Sequence, residues 1–160
     1  HHQAGRTPKR IGLAHPSIAP YGVFISCDGQ PILISIQSDR EWTKFCEVFL
    51  ERPHLAYDPR FATNVERVRN RSETDRCVAE AFAGIDACKA SRLLLEAEIA
   101  YANVNDMAGL AAHPHLRTIV VQTPMGPVEL PAPASIVIGD ERQYGRVPAI
   151  GEHDSPVVPD

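Results

Sequence analysis

A chain of 160 residues, 44% hydrophobic and 22% charged, has the size and composition of one ordinary globular domain. A net charge of −4 creates no global field for nucleic acid. No apolar run approaches the roughly 18 residues of a membrane span, and the polar N-terminus containing Pro8 shows no signal peptide.

Taken in chain order, His1-His2 resembles the remnant of a purification tag and is set aside. Residues 1–21 are expected to be an extended linker, because Pro8, Pro16 and Pro20 forbid a long helix. Gly22–Cys27 and Pro31–Gln37 are apolar, β-branched runs flanking Asp28-Gly29, a strong hairpin signal. Ser38 with Glu41 forms a capping box, and the spacing predicts a helix to about Leu50 with Trp42, Phe45, Cys46 and Phe49 on one apolar stripe. Asp58 to Arg71, DPRFATNVERVRNR, is expected to be an irregular loop, since its Asn and Arg residues suit side-chain to backbone hydrogen bonds better than a core. Within it Asp58, Arg67 and Arg71 are expected to act structurally, stapling the loop between the first two helices. Ser72 is the expected cap of a second helix carrying Val78, Ala81, Phe82 and Ile85. Asp86 caps a third, to about Ala97, with Ala90, Leu93, Leu94 and Ala97 inward, and Asn105 caps a short fourth.

The period then changes. Thr118–Gln122 reads as a strand, Pro124–Pro127 as a turn and Val128–Leu130 as the partner strand. Residues 131–160 are proline-rich, with one short strand expected over Ala134–Ile138 and no helix. The expected fold class is α+β: a small antiparallel sheet with three to four helices, followed by an extended tail. The expected division is a linker at 1–21, a small α+β domain at 22–130 and a return segment at 131–160.

Four cysteines, Cys27, Cys46, Cys77 and Cys88, form no zinc spacing, and Cys46 and Cys77 fall on apolar helix faces. They are read as reduced thiols of a cytoplasmic protein. His113-Pro114-His115 offers two metal ligands and no third, so no metal is expected. Gly151-Glu152-His153-Asp154 brings acid and base together, but consecutive residues seldom converge on one atom. Arg60, Arg67, Arg69, Arg71 and Arg76 are interleaved with Glu66, Glu73 and Asp75, which suits an ion-pair network rather than a phosphate track.

An ordered series of motifs carries a resemblance. It comprises His15-Pro16-Ser17-Ile18-Ala19-Pro20-Tyr21, Asp28-Gly29, Ser38-Asp39-Arg40-Glu41-Trp42, the Asp58–Arg71 stretch, Asn103–Asp106, His113–Arg117, Pro124–Val128 and Gly151–Asp154. From about Lys9 to about Val157 the chain resembles the small domain and C-terminal return segment of family III CoA-transferases, the CaiB/BaiF group. The resemblance implies an enzyme that moves CoA between small organic acids. An aspartate attacks the acyl-CoA thioester to give a mixed anhydride; the released thiolate re-adds to give an aspartyl-CoA thioester, which passes CoA to the acceptor acid.

In the family that aspartate lies in a large Rossmann-like domain. This chain holds no G-x-G-x-x-G, P-loop or βαβ alternation. It is therefore expected to be a fragment without a catalytic residue of its own, inactive alone, with no bound cofactor and a CoA thioester as substrate of the parent. Expected partners are an acyl-CoA, a small carboxylic acid and a second copy in a homodimer, with neither nucleic acid nor membrane. Where formyl-CoA transferases carry a glycine-rich loop over the reacting anhydride, this sequence has His15–Ala19, so His15, Ser17 and Tyr21 are the candidate substrate-proximal residues. The family's α-methylacyl-CoA racemases place a glutamate where Ser38 stands here, which favours transferase over racemase. A non-catalytic interaction module is the alternative from another class.

Overall fold

The computed structural model describes Gly5, Thr7 and residues 10–139 and 142–154; the tag-like His1-His2 lies outside them. The chain is α+β and divides into two compact units, His1–Val104 and Asn105–Asp160. The boundary expected after residue 130 falls inside the second unit.

The first unit is built on the predicted hairpin. β1 (Tyr21–Ile25) pairs antiparallel with β2 (Pro31–Ser35), in register Val23 to Leu33. Gly29 takes φ 78° in the connecting turn, a left-handed conformation that suits glycine. A third strand, β3 (Ala100–Asn103), adds antiparallel to β2, so the sheet order is β1-β2-β3. The sequence reading missed β3 because AYAN is short, exposed and only weakly β-forming.

Alternation along β2 sends Ile32 and Ile34, with Ile36 beyond it, into the core at 0–1% exposure. Three helical segments cover that face. α1 (Asp39–Lys44) opens with a variant of the expected capping box: Ser38 Oγ accepts from Glu41 N–H (3.2 Å), while Glu41 Oε2 accepts from the N–H of Gln37 (2.6 Å), one residue before the cap. It continues to Phe49 as predicted, but the last turn widens into a π-helical segment, Phe45–Phe49, closed by Leu50 N–H to Phe45 O (2.9 Å). Trp42, Phe45, Cys46 and Phe49 are all buried.

α3 (Arg71–Ala83) inserts Val78 and Phe82, and α4 (Ala87–Glu96) inserts Ala90, Leu93 and Leu94. Phe82 stacks on Phe24 of β1 (5.4 Å between ring centroids) and meets Phe49 (4.6 Å), which ties sheet, α1 extension and α3 together. Asp86 caps α4 as predicted, accepting from Lys89 N–H (2.8 Å).

Three local expectations are corrected. The Asp58–Arg71 stretch is not irregular throughout: Thr63 caps a short helix, α2 (Asn64–Arg69), and Phe61 and Arg67 are buried at 2% and 0% exposure. The cap position of α3 is Asn70, so Ser72 already lies in its first turn. In the second unit Asp106, not Asn105, caps α5 (Met107–Ala111), accepting from Gly109 N–H (2.7 Å).

β4 (Thr118–Thr123) and β5 (Gly126–Pro131) form the second expected hairpin. Ala134–Ile138 does not pair into a sheet. Where that stretch begins, the carbonyls of Pro133 and Ala134 accept from Arg117 Nη2 (2.6 and 3.4 Å). Among the described residues no helix is long and apolar enough to cross a membrane.

Candidate functional site

The segment from His15 to Tyr21 is held by side chains far away in sequence. Asn64 makes a two-way bridge: its Oδ1 accepts from Ala19 N–H (3.1 Å) and its Nδ2 donates to Ser17 O (2.8 Å). Arg67 Nε donates to Ala19 O (2.7 Å), and Arg71 Nη2 donates to both His15 O and Ile18 O (2.7 Å each). Five backbone groups of one short segment are thus satisfied by three side chains. Those side chains stand at i, i+3 and i+7, one face of the α2–α3 stretch.

Arg67 is the deepest of the three. Burial lowers the guanidinium pKa, opposed by its bond to Asp39. Nη2 reaches Asp39 Oδ1 (2.9 Å), Nη1 reaches Phe61 O (2.9 Å), and the guanidinium carbon lies 5.1 Å from the Trp42 ring centroid. Asp39 Oδ1 also accepts from Asn64 N–H (2.8 Å), so one carboxylate at the start of α1 organises both α2 and the buried arginine. The charge is therefore paired, with all three nitrogens satisfied.

The bonds from Asn64, Arg67 and Arg71 to the segment engage only its backbone groups and leave the side chains of His15, Ser17 and Tyr21 outside these contacts. Ser17 is exposed; His15 and Tyr21 are half-buried. Ser17 N–H donates to His15 Nδ1 (3.2 Å), and Ser17 Oγ lies 3.3 Å from the same nitrogen. An accepting Nδ1 leaves the ring's N–H on Nε2, free to donate. The Tyr21 ring sits 5.5 Å from the His15 ring, tilted by 40°.

Tyr21 also opens onto a cleft of about 640 Å³ between β1, Leu13-Ala14 and α3, where Ser72, Asp75 and Arg76 line the far wall. Burial raises the Asp75 carboxyl pKa, with Arg71 pulling it partly back. Asp75 Oδ1 and Arg71 Nη1 are both buried without a hydrogen-bond partner.

Asp58 sits apart from this group. Arg60 donates to it from its backbone N–H (2.9 Å), Nε (3.0 Å) and Nη2 (2.7 Å), which holds the carboxyl pKa down to about 2. Asp58 therefore braces the turn, whereas Arg67 and Arg71 reach across to the His15–Tyr21 segment. In the second unit Glu152 accepts from Arg146 and from Ala149 N–H (2.8 Å), so its carboxylate serves the local turn. His115 N–H donates to His113 Nδ1 (3.2 Å). Among the described residues no three His, Cys, Asp or Glu side chains gather as a metal site.

The family model for CoA-transferase family III matches residues 1–154. The chain belongs to this family. It is 30% identical over 158 residues to an acyl-CoA transferase of Fusarium pseudograminearum, covering 93% of this chain and 34% of that protein. It is 34% identical over 112 residues to a succinyl-CoA:mesaconate CoA-transferase of Haloarcula hispanica, covering 70% and 27%. It is 27% identical over 156 residues to a human succinyl-CoA:glutarate CoA-transferase, covering 94% and 35%. A crystal structure of a CaiB/BaiF family protein from Brucella suis superposes with a TM-score of 0.70 at 29% identity, covering 94% of this chain and 39% of that one. The chain thus spans about a third of the length of the curated relatives it matches.

Asn64 is the site residue the sequence reading missed. Its spacing to Arg67 and Arg71 was visible, but it signifies one face only if residues 64–69 are helical, and the Thr63-x-x-Glu66 capping box was the available signal.

Proposed function

We propose that this chain is the small-domain portion of an acyl-CoA:carboxylate CoA-transferase that moves CoA between small organic acids. The observation that carries the reading is the family match along residues 1–154. Relatives named for succinyl-CoA as donor, with mesaconate or glutarate as acceptor, support a dicarboxylate substrate class. Ser38, which caps α1, supplies no carboxylate where the family's racemases place a glutamate, and this favours transferase over racemase.

In this reading the nucleophilic aspartate lies outside the chain. Its carboxylate attacks the thioester carbonyl, and the C–S bond breaks to release CoA thiolate and leave a mixed anhydride. The thiolate attacks the enzyme-side carbonyl and releases the donor acid. The acceptor carboxylate then attacks the aspartyl-CoA thioester, expelling CoA thiolate and forming a second anhydride. The thiolate attacks the acceptor carbonyl of that anhydride, releasing the acceptor's CoA thioester and the free aspartate.

This chain's contribution is the side chains of the His15–Tyr21 segment. His15 Nε2–H, Ser17 Oγ–H and the Tyr21 hydroxyl are donors for a carboxylate or a developing oxyanion. The reading includes a homodimer, a cytoplasmic location, CoA as substrate rather than bound cofactor, and residues 131–160 as a segment returning to the large domain.

Intact-protein mass spectrometry after mixing with succinyl-CoA tests it. The full-length protein is expected to gain a covalent CoA adduct on an aspartate outside these 160 residues, while the 160-residue chain alone stays unmodified. An adduct within this chain, or none on the full-length protein, contradicts the reading.

A further inference from the structure

We propose that Asn64, Arg67 and Arg71 are positioning residues for CoA transfer, clamping the His15–Tyr21 backbone so that the His15 imidazole presents Nε2–H at a fixed place to a substrate oxygen. This rests on the reading above, in which that segment faces the reacting groups.

The geometry separates this clamp from ordinary loop packing. Each contact runs from a side chain to the backbone of the segment: Ala19 N–H and Ser17 O to Asn64, Ala19 O to Arg67, His15 O and Ile18 O to Arg71. None consumes the side chain of His15, Ser17 or Tyr21. The segment joins no strand until Tyr21, so these bonds replace the ladder that would otherwise fix it.

The ring of His15 is oriented in turn by the pinned backbone, because the Ser17 N–H that meets Nδ1 belongs to the residue whose carbonyl Asn64 holds. Moving Ser17 therefore moves the imidazole. The anchor is stiff, since Arg67 is fully buried and bonded to Phe61 O and Asp39. Misplacing a catalytic group by about 1 Å costs about a hundredfold in rate, so a clamp of this kind acts on kcat more than on binding.

The test uses full-length enzyme with succinyl-CoA and glutarate as the probe pair. Asn64→Ala and Arg71→Gln are expected to lower kcat about tenfold or more while leaving KM for succinyl-CoA within about twofold. Arg71→Lys, which keeps a cation able to donate to both carbonyls, is expected to recover most of the loss. Asn64→Asp, which keeps the acceptor for Ala19 N–H but loses the donor to Ser17 O, is expected to fall between wild type and Asn64→Ala, and it serves if the alanine variant does not fold.

Rates are normalised to the fraction of enzyme that forms the CoA adduct, so a merely destabilised variant shows normal kcat per competent site. An active wild type whose variants keep kcat and KM within twofold overturns the clamp alone. A wild type that transfers no CoA overturns the functional reading and the clamp with it.

Discussion

Asp58 and Trp42 show how differently single residues contribute. Asp58 is half-buried, and three donors from Arg60 hold its carboxyl pKa at about 2 instead of the ordinary 3.8. The folded value lies below the unfolded one, so this stabilisation is complete above about pH 3.8 and is lost as pH falls through about 2. Melting temperature against pH should therefore fall more steeply over that window in the wild type than in Asp58→Asn, and added salt should shrink the difference. Equal slopes would remove the bond from the account.

Trp42 is a core residue at 1% exposure, packed on Phe45 and Phe61 and lying against Arg67. Trp42→Ala should cost about 3–5 kcal/mol in denaturant unfolding. Trp42→Phe should cost less, because the buried indole N–H has no hydrogen-bond partner to lose. A loss under about 1 kcal/mol for the alanine variant would contradict the packing.

At the scale of elements, α2 is six residues long and has little internal hydrogen bonding of its own. Its start depends on Thr63 Oγ1 accepting from Glu66 N–H (3.3 Å) and on Asp39 accepting from Asn64 N–H. Thr63→Ala should cost about 1 kcal/mol, measured by urea unfolding, and hydrogen exchange should rise first in residues 64–70. Unchanged exchange there would mean that packing alone forms the helix.

The same element marks the limit of what the sequence made legible. At Ser38 for α1, at Asp86 for α4 and at the Asp28-Gly29 hairpin the structure follows the reading, whereas the caps expected at Ser72 and Asn105 fall at Asn70 and Asp106. α2 was hidden because its inward residue is an arginine, and a buried Arg67 reads as solvated until its carbonyl and carboxylate partners are brought to it by the fold. β3 was hidden because AYAN becomes a strand through pairing with β2 rather than through its own preference. The His15–Tyr21 segment could be singled out by resemblance, but the side chains holding it lie about fifty residues away, a relation that periodicity cannot express.

On the scale of the whole molecule the two units differ in kind. The first has a continuous core from Phe24 to Ile99. Among the described residues of the second, only Val121 is buried, while Met125, Ile136 and Ile138 are exposed at 98%, 70% and 100%. So little burial does not offset the entropy of ordering that many residues, and the proposed return of residues 131–160 to a large domain would cover this apolar surface. Limited proteolysis of the 160-residue chain should cut first between Pro131 and Gly151, with residues 21–103 surviving longest. Resistance of the 131–151 stretch in a dilute monomeric sample would mean that the second unit is self-sufficient.

The central claim is CoA transfer by the full-length protein, and chromatographic analysis of its products from succinyl-CoA and a free dicarboxylate tests it most directly. The account predicts saturable, enzyme-dependent formation of the acceptor's CoA thioester in step with release of succinate. Epimerisation of a 2-methylacyl-CoA without any transfer, or no thioester formed with any dicarboxylate acceptor, would contradict it.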